Sequence, residues 1–317
     1  MSDNTKKAPL KAVCIGECMV ELSPAGDGLF RQAFAGDSYN TATYLARQFA
    51  PDVEVSYLTA LGTSGLSLQM IDHFKAEGIG VDSIRKLDGK NPGLYRIEND
   101  ASGERFFDYW RGQSAAREMF AGQSVAELVE ELGAFDAIYL SGISLAILDE
   151  SQRSNLMQAL KQLVAEESCL VAYDPNHRPA LWSSPAAARA VSETMAGIAS
   201  LCLVGLEDDA AIMEETSDAE AVASRWQAWG AREVVVKDGG ANCLIRQGEA
   251  TLTIAPQAAL SPVDTTGAGD SFAAGYVGAR LTGKDPAEAA ALAHRIAGQV
   301  IMHPGAVIAR DLWQTID

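Results

Sequence analysis

Short apolar runs alternate along the chain with amphipathic stretches of helical length. The run at residues 12–20 is rich in apolar and β-branched side chains, which is typical of a buried strand. Residues 38–48 follow an Ala-Gly-Asp turn and place Ala42, Leu45 and Ala46 near helical spacing, which predicts a helix. The same order continues to the end of the sequence. It predicts strands at residues 53–61, 135–141, 169–173, 201–204 and 233–237, and helices at residues 67–77, 151–166, 185–199, 219–230, 267–281 and 286–302.

Two pairs of strands interrupt this alternation. Residues 93–98 and 105–111 flank a polar stretch, which predicts a hairpin in a small added sheet, and residues 243–246 and 250–254 predict a second hairpin. Alternating strands and helices form mostly parallel sheets that helices cover on both faces. The predicted fold class is therefore α/β, with three layers in the order α/β/α. The 317 residues exceed the ~250–300 at which a single core stops growing, so a large domain with a small subdomain is expected.

The composition and charge exclude several classes of function. Hydrophobic residues make up 48% of the chain, which is enough for a substantial core. The formal net charge is −17 at pH 7, so the protein repels phosphate backbones, and nucleic acid is not an expected partner. No apolar run approaches the ~20 residues of a membrane span, so no membrane association is expected. The first residues lack an apolar stretch, which argues against an ordinary secretory signal.

The cysteines indicate a reducing compartment. They are odd in number and scattered, and Cys14 and Cys18 have no second pair to complete a zinc site. We therefore expect reduced and mostly buried thiols in a cytoplasmic protein. The four histidines are also far apart and show no metal-ligand spacing. The five cysteines are Cys14, Cys18, Cys169, Cys202 and Cys243.

The segment with the clearest chemistry runs from Asp264 to Asp270 and reads Asp-Thr-Thr-Gly-Ala-Gly-Asp at the start of a predicted helix. Small residues let the backbone approach a ligand, and the free N–H groups of a helix's first turn bind anions. A carboxylate at Asp270 is then well placed to accept a proton from a hydroxyl group beside a bound phosphate. The structural alternative is that Thr266 caps the helix while the glycines make a turn.

This segment resembles the signature of the ribokinase-like (PfkB-type) carbohydrate kinases, in which the final Asp is the catalytic base. Other segments resemble the 2-keto-3-deoxygluconate kinases of that family. The resemblance extends over about residues 11–310 and implies a ribokinase-like fold with ATP as co-substrate. It also implies one kinase domain over residues 1–317, with a small β-sheet lid formed by about residues 17–36 and 92–112. The resembling segments are residues 16–22, 35–40, 93–95, 108–111, 139–144 and 174–179.

The resemblance assigns phosphoryl transfer to the end of the signature segment. It implies that Asp270 deprotonates the acceptor hydroxyl group. It also implies that the N–H groups of Gly267, Ala268 and Gly269 hold the transferring phosphoryl group. The same residues would thus combine the base and the anion site of the reaction.

A second group of residues is implied in sugar binding, partly from below the sugar and partly from the lid. Two alternatives stay open at this point. Asp37 could be a helix N-cap, and Tyr95 and Tyr109 could merely pack the hairpin. The sugar-binding residues that the resemblance implies are Gly36, Asp37, Asn40, Tyr95, Tyr109, Arg111, Arg178 and Asp270.

A third group is implied in binding ATP and its metal ion. Magnesium is expected because phosphoryl transfer requires charge neutralisation. The family often carries Asn-x-x-Glu after the strand near residue 203, whereas residues 205–208 here read Gly-Leu-Glu-Asp, which makes Asp208 the expected metal-binding residue. A monovalent cation is left open as a further cofactor. The ATP-binding residues that the resemblance implies are Asn176, Arg178, Lys237, Gly239, Gly267 and Gly269.

The implied activity is transfer of the γ-phosphoryl group of ATP to the 6-hydroxyl group of 2-keto-3-deoxygluconate. Arg111 and Arg178 favour an acidic sugar, although either could serve ATP instead, and Arg178 could be a surface ion pair. One alternative is a fructokinase or ribokinase that acts on a neutral sugar. Another is a non-catalytic sugar or nucleotide sensor, against which the intact Asp270 argues. A homodimer or higher homo-oligomer that pairs through the lids is expected, since an exposed sheet edge invites pairing.

Overall fold

The computed structural model describes residues 8–99, 105–256 and 261–317. Strands and helices alternate through most of this length, as the hydrophobic pattern predicts. The strands are β1 (Leu10–Ile15), β2 (Met19–Pro24), β3 (Phe30–Ala35), β4 (Val53–Leu61), β5 (Ile84–Lys86), β6 (Leu94–Asn99), β7 (Arg105–Trp110), β8 (Ala137–Ser141), β9 (Leu170–Asp174), β10 (Leu201–Gly205), β11 (Glu233–Lys237), β12 (Cys243–Gln247) and β13 (Ala250–Ile254). The helices are α1 (Asp37–Phe49), α2 (Gly65–Ala76), α3 (Val125–Leu132), α4 (Gly142–Ala146), α5 (Glu150–Ala165), α6 (Pro185–Ala196), α7 (Leu206–Met213), α8 (Ala219–Ala228), α9 (Ala268–Leu281) and α10 (Pro286–Val300).

A large sheet forms the middle layer of the protein. Its strands, as far as the structure describes the chain, follow the order β13-β12-β11-β10-β9-β8-β1-β4-β5. The strands from β5 to β11 in this order run parallel, whereas β12 and β13 are added antiparallel at one edge. The hairpin predicted at residues 243–246 and 250–254 is therefore confirmed. Because the parallel strands end at the same edge, the loops that follow them converge there.

Helices cover both faces of the large sheet, which confirms the predicted three-layer α/β/α class. Successive residues of β1 point to opposite faces, as the period of two requires. Cys14 belongs to the buried cluster that contains Tyr39 of α1 and Phe272 of α9. Val13 belongs to a second buried cluster, with Leu128 of α3 on the other face. The strands are thus apolar on both sides, which explains their nearly continuous hydrophobic runs.

The four strands of the small sheet follow the order β3-β2-β6-β7. The antiparallel pairing of β6 with β7 confirms the predicted hairpin. Of the polar turn predicted at residues 99–104, Asn99 ends β6, and the rest lies outside the described part of the chain. The prediction of one strand over residues 12–20 is wrong. The chain leaves the large sheet after Ile15 and enters the small sheet at Met19. A Cβ atom at Gly16 would lie 2.1 Å from Ser38 Oγ, so only glycine fits at this junction.

The composition predicts mostly buried cysteines and no membrane span. Cys14, Cys18, Cys202 and Cys243 are buried and Cys169 is partly buried, all as free thiols, so the predicted burial of most cysteines is confirmed. Across the described ranges, no helix combines the length and apolarity that crossing a membrane would take. The cytoplasmic location stays a prediction.

Candidate active site

The start of α9 forms a turn whose backbone faces an adjacent loop. Gly267 has a φ of 77°, a left-handed conformation that favours glycine. A Cβ atom at this position would lie 2.6 Å from the carbonyl oxygen of Ala306. The N–H group of Ala268 donates to Thr265 O at 3.1 Å, and among the described residues the N–H groups of Gly267 and Gly269 have no such partner. These two N–H groups are therefore available to an anion, while the N–H group of Ala268 is bonded within the turn, and the binding of a phosphoryl group by all three stays a prediction.

Asp264 holds this turn in shape from within the signature segment. Its Oδ1 atom accepts hydrogen bonds from the N–H group and the hydroxyl group of Thr266, at 3.0 and 2.7 Å. Its Oδ2 atom accepts from Gly305 N at 2.9 Å, which ties the turn to the adjacent loop. The residue at the N-cap of α9 is Gly267, without a side-chain cap. The structural alternative in which Thr266 caps the helix is therefore wrong.

Asp270 lies in the first turn of α9 and receives two contacts from α1. Asn40 Nδ2 donates to its Oδ2 atom at 2.8 Å, and Thr41 Oγ1 donates to its backbone carbonyl at 3.2 Å. Loss of hydration and the nearby charge of Asp37 raise the pKa of Asp270 to about 7, against the lowering effect of Asn40. A carboxylate with this pKa can accept a proton near neutral pH.

The residues that begin α1 lie beside Asp270. Gly36 precedes the helix in extended conformation, and a Cβ atom there would lie 2.2 Å from Glu17 O. Asp37 Oδ2 accepts a hydrogen bond from Asn176 Nδ2 at 3.0 Å. The N-cap of α1 is Gly36, so the alternative of Asp37 as the N-cap is wrong. The side chain of Asp37 instead bonds to Asn176 in the loop after β9.

Lys237 brings positive charge to the turn at residues 267–269, which we call the anion turn because its free N–H groups can bind an anion. Its Nζ atom donates to Asp174 Oδ2 at 2.6 Å, and a Cβ atom on Gly269 would lie 3.7 Å from that nitrogen. Burial lowers the pKa of Lys237, but the charge and hydrogen bond of Asp174 outweigh it, so the pKa is raised overall and the amine stays charged. Gly239 follows in the turn after β11, with a φ of 50°.

Asp208 and Arg178, which the resemblance implies in metal and ATP binding, lie close to each other. Asp208 Oδ1 accepts a hydrogen bond from His177 N at 2.8 Å and lies 4.0 Å from Arg178 Nη1. Burial and the charge of Asp174 raise the pKa of Asp208 to about 6. Arg178 remains half exposed, so both a ligand contact and the weak surface ion pair stay open for it. Over the described ranges, no three His, Cys, Asp or Glu residues form a ready metal site.

The small sheet contributes aromatic side chains on one of its faces. Tyr95 and Tyr109 are direct partners in the β6–β7 register, with ring centroids 5.8 Å apart. The Tyr95 hydroxyl donates to Glu21, whereas Tyr109 is half exposed. Arg111, just after β7, is in ion-pair contact with the buried Glu17. The tyrosines thus pack together, and Tyr109 keeps a surface that a ligand could cover.

The structure links most of the residues implied in sugar and phosphate binding. Asn40 contacts Asp270, Asn176 contacts Asp37, and Gly269 lies near Lys237, although these residues are far apart in sequence. Sequence reasoning missed Asp174 as the partner of Lys237. Its position at the end of a parallel strand was an available signal, because ligands bind at that edge. A base, an anion turn and a buried cation thus meet at one place, which is what transfer of a phosphoryl group requires.

Comparisons with known proteins place this arrangement in a family. The model of the pfkB family carbohydrate kinases matches residues 9–312. A 2-dehydro-3-deoxygluconokinase from Dickeya dadantii is 43% identical over 299 residues, which cover 93% of this chain and 95% of the relative. The protein of that name from Escherichia coli K12 is 39% identical over 305 residues, covering 95% of this chain and 98% of the relative.

Solved structures agree on the fold. A PfkB protein from Polaromonas is 25% identical with a TM-score of 0.80, covering 96% of this chain and 98% of the other. A 2-dehydro-3-deoxygluconokinase from Thermotoga maritima is 21% identical with a TM-score of 0.81, covering 94% and 96%. The fold, the signature segment and the family match together lead to one conclusion: this chain belongs to the pfkB family of carbohydrate kinases.

Proposed function

We propose that the protein transfers the γ-phosphoryl group of ATP to the 6-hydroxyl group of 2-keto-3-deoxygluconate, which gives 2-keto-3-deoxy-6-phosphogluconate. The observation that supports this reaction most directly is the carboxylate of Asp270, which lies in the first turn of α9 and has a pKa of about 7. The choice of sugar is supported by four relatives that are 38–43% identical and carry the name 2-dehydro-3-deoxygluconokinase.

In the proposed mechanism, Asp270 takes the proton of the 6-hydroxyl group while the oxygen of that hydroxyl group forms a bond to the γ-phosphorus of ATP. The bond between that phosphorus and the bridging oxygen of ADP breaks, and ADP leaves with the electron pair. The N–H groups of Gly267 and Gly269 and the amine of Lys237 stabilise the negative charge of the phosphoryl oxygens. Asn40 orients the carboxylate of Asp270 through its 2.8 Å hydrogen bond. The proton then passes from Asp270 to water after the products leave.

Sugar binding is proposed to use the start of α1 and the small sheet. Gly36 and Asp37 would contact hydroxyl groups from the start of α1, while Tyr95 and Tyr109 cover the sugar from the small sheet. The small sheet, with residues 17–36 and 92–112, would act as a lid on a single kinase domain over residues 1–317. Closure of such a lid keeps water from the phosphoryl group and so limits ATP hydrolysis.

ATP is proposed to lie across Asn176, Arg178, Lys237 and Gly239, with its terminal phosphates at the anion turn. Asp208 and Asp174 offer carboxylate oxygens, which Mg²⁺ prefers, and their mutual repulsion contributes to the raised pKa of Asp208. This donor set fits an ion held mainly by phosphate oxygens and water, with Asp208 as the protein contact. When bound, magnesium neutralises phosphate charge. A requirement for a monovalent cation stays a prediction.

The two arginines are expected to distinguish sugar acids from neutral sugars. A matched neutral substrate is 3-deoxyfructose, in which a hydroxymethyl group replaces the carboxylate of 2-keto-3-deoxygluconate. Replacing Arg111 or Arg178 by Ala should lower the ratio of kcat/KM for the acid to kcat/KM for the neutral sugar by roughly 10–150-fold, because charged hydrogen bonds to the carboxylate are lost. Steady-state kinetics with both sugars measure this ratio, which cancels damage to the ATP site.

Arg96 provides the control for this experiment. It is a lid arginine in ion pairs with Glu98 and Asp108, and it lies on the face of the sheet opposite Tyr95. Arg96→Ala should leave the ratio unchanged. Equal losses on both sugars in an Arg111 or Arg178 variant would assign that arginine to phosphate or to structure.

Two alternative functions remain as outcomes of the same assays. A fructokinase from Vibrio alginolyticus is 25% identical over 265 residues, so a neutral hexose is the second candidate substrate. A sensor without catalysis would bind sugar and ATP but release no ADP. Asp270 and its contact with Asn40 favour an enzyme over the sensor.

The small sheet is also proposed to pair two protomers, or more, into a homo-oligomer. Phe106 and Trp110 share the face of β7 opposite Tyr109, and their side chains are 52% and 60% exposed. Apolar side chains of this size favour burial against a partner. We expect size-exclusion chromatography with light scattering to detect a dimer or larger assembly. The double change Phe106→Ser and Trp110→Ser should yield a folded monomer. A wild-type protein that is monomeric at micromolar concentration would refute the pairing.

A further inference from the structure

The chain segments that join the small sheet to the rest of the protein all pass beside one residue, Glu17. Glu17 itself lies between β1 and β2. A Cβ atom at Gly36, between β3 and α1, would lie 2.2 Å from Glu17 O. A Cβ atom at Gly93, just before β6, would lie 2.7 Å from Glu17 Oε1 and 3.2 Å from the Cβ atom of Arg111. Arg111 follows β7 directly and forms the ion pair with Glu17. Glu17 and Arg111 therefore occupy the hinge of the small sheet.

This ion pair is buried and incompletely hydrogen-bonded. Glu17 is only 2% exposed, and the side chain of Arg111 is 10% exposed. Nη2 of Arg111 contacts Oε2 of Glu17 in this ion pair, whereas Oε1 of Glu17 and Nε of Arg111 have no hydrogen-bond partner among the described residues. Burying two charges with unsatisfied atoms is costly, and hydrophobic replacements of such pairs are often more stable. The pair is therefore weak evidence for a purely stabilising role.

The geometry suits an arginine that is held in place for a ligand. A guanidinium group has five N–H donors in a rigid fork, and contact with Glu17 occupies only part of it. Nε and Nη2 are buried, which leaves Nη1 as the nitrogen that can donate a charged hydrogen bond to a carboxylate ligand. Without the negative charge of Glu17, the buried guanidinium group would lose its counter-ion and its fixed direction.

We propose that Glu17 is a positioning residue that holds Arg111 at the hinge and thereby sets the preference of the enzyme for sugar acids over neutral sugars. This inference rests on the proposed contact between Arg111 and the carboxylate of the sugar. It assigns to Glu17 no contact with the substrate. Its effect on the reaction passes through the direction of the Arg111 side chain.

The test is Glu17→Gln, which keeps the shape of the side chain and removes its charge. We expect kcat/KM for 2-keto-3-deoxygluconate to fall roughly 10–150-fold, as for the loss of a charged hydrogen bond, while kcat/KM for 3-deoxyfructose changes less than about threefold. Glu77→Gln is the matched control. Glu77 belongs to another buried arginine–glutamate pair, with two 2.8 Å hydrogen bonds from Arg47. Its replacement should lower the melting temperature without changing the ratio between the two sugars.

A double-mutant cycle separates the two proposals. If Glu17 acts through Arg111, adding Glu17→Gln to Arg111→Ala should cause no further loss of preference for the acid.

An Arg111→Ala variant with unchanged preference would overturn the proposed carboxylate contact itself. A selective effect of Arg111→Ala together with an unselective or absent effect of Glu17→Gln would overturn only the role of Glu17. A higher kcat/KM for the acid in Glu17→Gln would also overturn it, since Glu17 would then compete with the substrate. If Glu17→Gln does not fold, Glu17→Asp replaces it, and the shortened carboxylate should reduce the preference for the acid in the same direction.

Discussion

Replacement of Asp270 by Asn is expected to lower kcat by roughly 10²–10⁴-fold while the protein stays folded. The amide keeps the size of the side chain but cannot take the proton of the sugar hydroxyl group. The wild-type enzyme should also show a matching pH dependence. Because the pKa of Asp270 is about 7 and only the ionised form is a base, kcat/KM should fall about tenfold per unit as the pH drops below that value. Initial rates of ADP release between pH 5.5 and 9 measure both effects.

A carboxylate in the first turn of the neighbouring helix serves as the control. Glu288 lies in the first turn of α10, and its side chain accepts a hydrogen bond from the backbone N–H group of Asp285 at 3.0 Å. Glu288→Gln removes a similar charge from a similar helix position, so it should leave kcat and the acid limb of the profile unchanged. A folded Asp270→Asn protein with half of the wild-type turnover would remove Asp270 from the role of catalytic base.

Replacement of Gly267 by Val is expected to lower kcat by about 10²–10³-fold, the cost of losing a backbone donor to the developing charge. A β-branched residue does not tolerate the φ of 77°, and its Cβ atom would meet Ala306 O at 2.6 Å. The turn must therefore move, and its N–H groups lose their direction towards the phosphate. The reaction should suffer more than the binding of the sugar, which is measured by KM and by calorimetry.

The same helix offers the control for backbone strain. Gly283 follows α9 with a φ of 89°, and a Cβ atom there would meet no atom within 4 Å. Gly283→Val should lower the melting temperature through the same conformational strain but keep normal turnover. Similar losses of kcat in both variants would mean that strain, and not the anion turn, explains the effect at Gly267.

The hydrophobic pattern predicted the large sheet well because its strands are buried on both faces and its helices on one. It failed where burial does not follow these periods. The run at residues 12–20 is apolar except at Gly16 and Glu17, yet it contributes to two sheets, because the chain passes from one sheet to the other between Ile15 and Met19. The strand β3 (Phe30–Ala35) is mostly exposed or half-buried, so the hydrophobic pattern does not predict it, although it lies within the lid segment at residues 17–36 that the resemblance implies.

The candidate site was predicted mainly through the signature segment and the resemblance it carries. The structure adds which atoms meet. Asn40 was predicted to bind the sugar, and its amide is found on Asp270. Asp174 was not singled out, and it is the carboxylate that accompanies Lys237. Such contacts join residues 63–230 positions apart in sequence, and no local pattern encodes them.

The most direct test of this account is ADP release by the purified protein with magnesium and ATP across a panel of sugars, followed by phosphorus NMR of the product. We predict that 2-keto-3-deoxygluconate has the highest kcat/KM in the panel and that the phosphate is attached to its 6-oxygen. A higher kcat/KM for fructose or ribose, or ADP release that does not depend on any sugar, would contradict the proposed function.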